Sequence, residues 1–201
     1  MKSKLVPFIG VDASLTNSGI CIIQGDQYKL FQVPTKSGEF QCAEQRVRYI
    51  ALEIKNKIES WLDKDLSDVV CGIEDYAFNA RVGRAFALGE VGGFVKQVMW
   101  SRTGRVPLKV NIKTLKVFIT GRGNVGKAHH LLYAFDKWGI KFPNDDVCDA
   151  YAIAKLMQSV FADPGSLFKY EQTCCKNTMA YADNDAILKE SKLFERILLG
   201  R

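Results

Sequence analysis

The chain has 201 residues, 47% of them hydrophobic and 25% charged, with a formal net charge of +6. That balance excludes a disordered chain, and no apolar run approaches the roughly 18 residues of a membrane-spanning helix. The positive surplus favours an anionic partner, nucleic acid ahead of an anionic membrane surface.

At this length we expect one domain with an appendage and a full hydrophobic core. Six cysteines (Cys21, Cys42, Cys71, Cys148, Cys174 and Cys175) show no regular spacing. Cys174-Cys175 has no C-x-x-C partner and His129-His130 completes no zinc pattern, so reduced thiols are expected. Met1-Lys2-Ser3-Lys4 runs straight into a short strand without a secretory leader. These features lead us to expect a cytosolic protein.

Taken in chain order, Val6 to Ala13, Gly19 to Gln24 and Gln27 to Val33 read as three strands joined by tight turns. A long amphipathic helix follows from Cys42 to Leu62, with Ile50, Ile54, Ile58, Trp61 and Leu62 on one face. The apolar run from Asp68 to Glu74 suits a central parallel strand covered on both sides. After a polar, basic loop from Asn79 to Arg84 comes a second helix, Ala85 to Trp100, in which Gly89, Gly92 and Gly93 predict close packing against the sheet or a second subunit. Pro107 to Val110 reads as a strand, and Lys113 to Phe118, Lys127 to Trp138 and Asp145 to Phe161 as helices. Asp163-Pro164-Gly165-Ser166 marks a boundary, so we divide the chain into residues 1–162 and a polar extension, 163–201, with a final helix from Asn184 to Leu199. Three antiparallel strands followed by alternating helices and strands define an α/β fold with a mixed five-stranded sheet.

Four acids fall at comparable places in that scheme. Asp12 ends the first strand, and Glu74 ends the strand expected beside it. Asp146 and Asp149 open the last core helix at i, i+3 and share one helical face. Taken alone, the helix pair is explained by capping and the helix dipole, and an acid at a strand end is more often a turn former. Glu74 is different, because an acid closing an apolar central strand needs a partner or a metal. Clustered carboxylates are commonly reconciled by a divalent cation, and all-oxygen ligands favour Mg²⁺ or Mn²⁺. Two such ions can activate water and stabilise the leaving oxygen in phosphodiester cleavage.

Five segments in order carry a family resemblance: Gly10-Val11-Asp12-Ala13-Ser14 through Ser18-Gly19, Gly72-Ile73-Glu74, Ala87 through Gly93, Lys116 through Gly121-Arg122-Gly123 to Lys127, and Asp146 through Ala154. Over about residues 6–160 the chain resembles the RuvC family of Holliday-junction resolvases, which has a ribonuclease-H-like fold with helices on both faces of the sheet. The extension resembles those on phage-borne members. The resemblance implies that Asp12, Glu74, Asp146 and Asp149 bind two Mg²⁺ ions, with Mn²⁺ as a substitute, and that Asp145 is a neighbouring acid. It also implies that Lys116 and Lys127 contact phosphates of the scissile strand. The expected reaction is paired nicking of a four-way junction, leaving 5′-phosphate and 3′-hydroxyl ends, and the expected assembly is a homodimer through the helix from Ala85 to Trp100.

The pattern departs from the family at two points. Ala77 stands where an aromatic wedge is expected, with Tyr76 and Phe78 beside it as substitutes, and Ala13-Ser14 replaces the usual Pro-Gly pair. A basic rim for DNA is read at Arg81, Arg84, Lys109, Lys113, Arg122 and Lys127, since a bare acidic cluster would repel phosphates. The rivals are a ribonuclease-H-like nuclease acting on RNA or flaps, an actin-like ATPase built on the Asp12–Gly19 turn, and a non-catalytic junction binder.

Overall fold

The computed structural model describes residues 5–62, 66, 68–75, 82–123, 125–161 and 164–190. Five strands form one sheet: β1 (Pro7–Asp12), β2 (Asn17–Gln24), β3 (Gln27–Pro34), β4 (Val70–Glu74) and β5 (Leu108–Val110). Their order is β3-β2-β1-β4-β5. The first three form an antiparallel meander, and β4 runs parallel to both β1 and β5. β4 is thus the covered central strand that its continuous apolar sequence predicts.

Alternation along each strand divides the core into two layers. Ile9, Val11, Ile20, Ile22, Cys71 and Ile73 face one side, where α1 (Ala43–Trp61) and α2 (Val82–Thr103) supply Val47, Ile50, Ile54, Ile58, Val91, Val95 and Met99. Phe8, Cys21, Ile23 and Val70 face the other. That side is covered by α3 (Ile112–Thr120), α4 (Lys127–Trp138), α5 (Asp145–Val160) and α6 (Lys169–Met179). The short α7 (Asn184–Glu190) lies against β5.

The most buried of these helices is α5, and its approach to the sheet is permitted by missing side chains. A Cβ on Gly10 would lie 2.0 Å from the Ala150 carbonyl oxygen and 2.5 Å from the Ala154 nitrogen. One on Gly19 would lie 2.1 Å from the Asp146 oxygen, and one on Gly72 would lie 2.7 Å from Ile153 Cγ2. Ala150 and Ala154, both fully buried, keep the helix thin where it meets Gly10.

Several expectations need correction. α2 begins at Val82, so Arg84 belongs to its first turn rather than to a loop, and residues 79–81 lie outside the described residues. Of the α2 glycines, Gly92 is buried, whereas Gly89 and Gly93, if given a Cβ, would meet nothing within 4 Å among the described residues. The final helix is described only to Glu190, and the rest of its expected span lies outside the described residues. The sequence pattern predicts no helix where α6 lies. Its buried face is Glu171, Cys174, Cys175 and Thr178, which has too few aliphatic side chains to give a hydrophobic period. Glu171 is held there by Lys137, 2.7 Å away.

Gly10→Ala is expected to lower unfolding free energy by about 3 kcal/mol, since backbone atoms of α5 must move to admit the methyl group. Urea denaturation monitored by circular dichroism checks this.

Candidate active site

Strand parity brings the first two acids together. The β1–β4 register pairs Gly10 with Gly72 and Val11 with Ile73, so Asp12 and Glu74 are the next residues on adjacent parallel strands. They share the face of Gly10 and Gly72, toward α5. The side chain of Asn144 caps that helix by accepting the Val147 N–H at 3.0 Å. Helix start and glycine contacts together set Asp146 and Asp149 over the strand ends. Carboxylate oxygens of Asp12, Glu74 and Asp149 lie within 4.8 Å of one another.

Two side chains that the sequence reading did not single out hold the helix acids. Asn17, first residue of β2, donates from Nδ2 to Asp146 Oδ2 at 2.7 Å. His130 of α4, 5% exposed, places Nε2 2.7 Å from Asp149 Oδ1. Asn17 sits in a small-residue turn with no signal of its own. His130 follows Lys127 by three residues and so shares its helical face, which was the one available clue.

The turn after Asp12 is fixed from within and from outside. Ser14 Oγ accepts the backbone N–H groups of Thr16 and Asn17, while Ser18 Oγ accepts the Ser14 N–H and donates to the Ser14 carbonyl. Arg46 of α1 donates to the carbonyls of Leu15 and Thr35. Ser14 therefore organises this turn through its hydroxyl.

These acids repel one another. Burial, followed by the Glu74, Asp149, Asp146 and Asp145 charges, holds the Asp12 carboxyl well above its usual range. Burial and the Asp149 charge push Glu74 up to about 8, against the pull of Lys116. A divalent cation would relieve that repulsion. The donor set fits one, because it is all oxygen and because Asn17 Oδ1 beside it is buried with no hydrogen-bond partner among the described residues. A second group, His130, Cys148 and Asp149, also clusters, but burial raises the Cys148 thiol far above neutrality and makes it a poor ligand.

A cleft of about 560 Å³ opens above the acids. Asp12, Glu74, Asp145, Asp146, Asp149 and Lys116 all line it, together with Asp75 and His130. The remaining expected residues are distributed around the molecule. Lys113 is exposed on the flank of α3, lining a separate groove with Tyr170, Thr173 and Asn177. Arg122 is exposed in the turn after α3, where Thr120 Oγ1 ties the Arg122 backbone. Lys109 pairs with Asp183 at 3.2 Å and does not line the cleft. Lys127 opens α4 and Arg84 lies in α2, but their side chains lie outside the described residues, as do Tyr76, Phe78 and Arg81 altogether. Among the described residues no helix is long and apolar enough to cross a membrane, and all six cysteines are free.

A mixed sheet of this order, with helices on both faces and acids at the ends of its first and fourth strands, is a ribonuclease-H-like fold. More narrowly, it is the RuvC-like form of that fold. RuvC of Thermus thermophilus in complex with a Holliday junction substrate superimposes with a TM-score of 0.58 and 20% identity, over 74% of this chain and 90% of that one. A structure of Thermus thermophilus RuvC gives 0.55 and 21% over the same shares. No family model and no curated protein matches the chain in sequence.

The raised carboxyls give a pH dependence with a definite sign. A carboxyl whose folded pKa exceeds its unfolded value stabilises the fold below the unfolded value, and that contribution disappears as pH rises through the folded one. The cation-free chain is therefore expected to lose stability between about pH 4.5 and pH 8 through Glu74. Asp12→Asn should raise the cation-free melting temperature at pH 8 by about 3 °C or more and reduce the stabilisation by added Mg²⁺. Thermal melts at pH 5.5 and 8, with and without Mg²⁺, test both.

Proposed function

We propose that the chain is a Mg²⁺-dependent, structure-selective endodeoxyribonuclease that resolves four-way junctions and related branched DNA by paired nicks. The observation that carries this reading is the convergence of Asp12, Glu74 and Asp149, with Asp146 beside them, beneath a Lys116-bearing cleft on a RuvC-like fold. Asp12, Glu74, Asp146 and Asp149 would hold two divalent ions, Mg²⁺ or Mn²⁺, which supply water activation and charge neutralisation at the phosphate. Asn17 and His130 keep the Asp146 and Asp149 carboxylates aimed into the cleft. Lys116 reaches the same space and offsets charge that builds on the phosphoryl oxygens. Lys127 at the start of α4, with Lys113, Arg84 and Arg122, contributes phosphate contacts, and Arg81, Tyr76 and Phe78 belong to the segment that would meet the DNA.

The outward face of α2 supports a two-fold dimer. Phe86, Phe94 and Trp100 are 72%, 49% and 50% exposed, and Gly89 and Gly93 leave open space along the helix. Such a stripe suits a self-complementary contact, and a junction with approximate two-fold symmetry suits two paired active sites.

Four synthetic substrates decide the reading: a four-way junction, a flap, a duplex and an RNA–DNA hybrid, each with Mg²⁺. Paired nicks in the junction are expected. Asp12→Asn should abolish cutting and still bind the junction in a gel-shift assay, and Lys116→Ala should lower kcat by about a hundredfold. Preferential cutting of the hybrid would transfer the assignment to a ribonuclease, and no cutting of any branched DNA would overturn it.

The dimer has its own test. Phe94→Glu combined with Trp100→Glu should convert a dimer to a monomer in sedimentation velocity, with the melting curve of each protomer retained.

A further inference from the structure

The segment after α5 is more than a cover for the sheet edge, because it reaches the catalytic end of β4. Asn184, completely buried, accepts the Lys109 N–H at 2.9 Å and donates to the Lys109 carbonyl at 2.7 Å. Its side-chain amide thereby pairs with the free edge of β5 as a strand residue would. Nζ of Lys109 closes the same contact on Asp183. Asn184 also donates to the Thr178 carbonyl, which fixes the turn between α6 and α7. Three residues before Asn184, that turn carries Tyr181, whose hydroxyl donates to Asp75 Oδ2 at 2.7 Å.

Asp75 follows Glu74 directly and lines the same cleft. Its backbone N–H extends the β4–β5 ladder to the Val110 carbonyl at 2.9 Å. Asn111, next after Val110, caps α3 by accepting the Lys113 N–H with its side chain. The Tyr181 phenol therefore ties the turn between α6 and α7 to the exit of the Glu74 strand.

We propose that Tyr181 is a positioning residue that keeps the Asp75 carboxylate engaged outside the cation-binding cluster, so that it does not compete with Asp12, Glu74, Asp146 and Asp149 for the ions. This inference rests on the cation-dependent reading of the cleft. A carboxylate released from the Tyr181 hydroxyl would be free to ligate a cation held in the cleft that it lines. It would then recruit or displace a cation at Glu74 without contributing to the reaction.

The test compares the unaltered chain, Tyr181→Phe, and Tyr181→Phe with Asp75→Asn. Each is titrated with Mn²⁺ by electron paramagnetic resonance and assayed for cleavage of a four-way junction. Tyr181→Phe should change the Mn²⁺ affinity about tenfold and slow cleavage by a similar factor, and the added Asp75→Asn should reverse both. Equal Mn²⁺ binding and cleavage in Tyr181→Phe and the unaltered chain would overturn the proposal. So would a defect that persists when Asp75 loses its charge, or loss of the folded state in Tyr181→Phe, since either makes the hydroxyl purely structural. Failure of the unaltered chain to bind Mn²⁺ would instead overturn the cation-dependent reading itself.

Discussion

The closeness of α5 to the sheet is the constraint on which the rest of this structure depends. Gly10, Gly19 and Gly72 give up their side chains along one face, and the backbone of α5 occupies the space. Because Asp12 pairs with Gly19 across β1 and β2, the glycine that admits the first turn of α5 stands opposite the first acid. The Asp146 carbonyl is seated where the Gly19 Cβ would be. The packing that closes the core and the packing that assembles the acids are thus one contact.

That contact works against electrostatics. Moving four carboxylates together raises the protonation equilibria of Asp12 and Glu74, an unfavourable arrangement for a protein near neutral pH. Apolar burial on both faces of the sheet is large enough to hold it, as Ile9, Ile20, Ile22, Ile153 and Leu156 are almost wholly enclosed. The cluster is rigid for a further reason: each helix acid is tethered from a different element, Asp146 by β2 and Asp149 by α4. A site strained in charge but fixed in geometry has much to gain from a divalent ion and little reorganisation to undergo when one binds.

The helices after α5 tie into this arrangement rather than sitting beside it. Asn184 completes the hydrogen bonding of an edge strand, and Tyr181 reaches Asp75 at the lip of the cleft. Their sequence looked like a polar extension because its anchoring groups are amide, phenol and carboxylate. Such groups carry no hydrophobic period, which explains why α6 was not anticipated while α1, with its regular isoleucines, was placed to within one residue at each end.

Much of the candidate site was legible in the chain itself. The apolar runs put Asp12 and Glu74 at the ends of two strands expected to be neighbours, and helix periodicity put Asp146 and Asp149 on one helical face, both from local properties of the backbone. The amino-acid sequence also determined that α5 could lie close, through the glycines in β1, β2 and β4 and the alanines facing them. Tertiary structure alone decided which groups steady the acids. Asn17 meets Asp146 across 129 residues and Tyr181 meets Asp75 across 106. No local period encodes a contact between single polar side chains so far apart, because their meeting depends on every turn and packing angle between them.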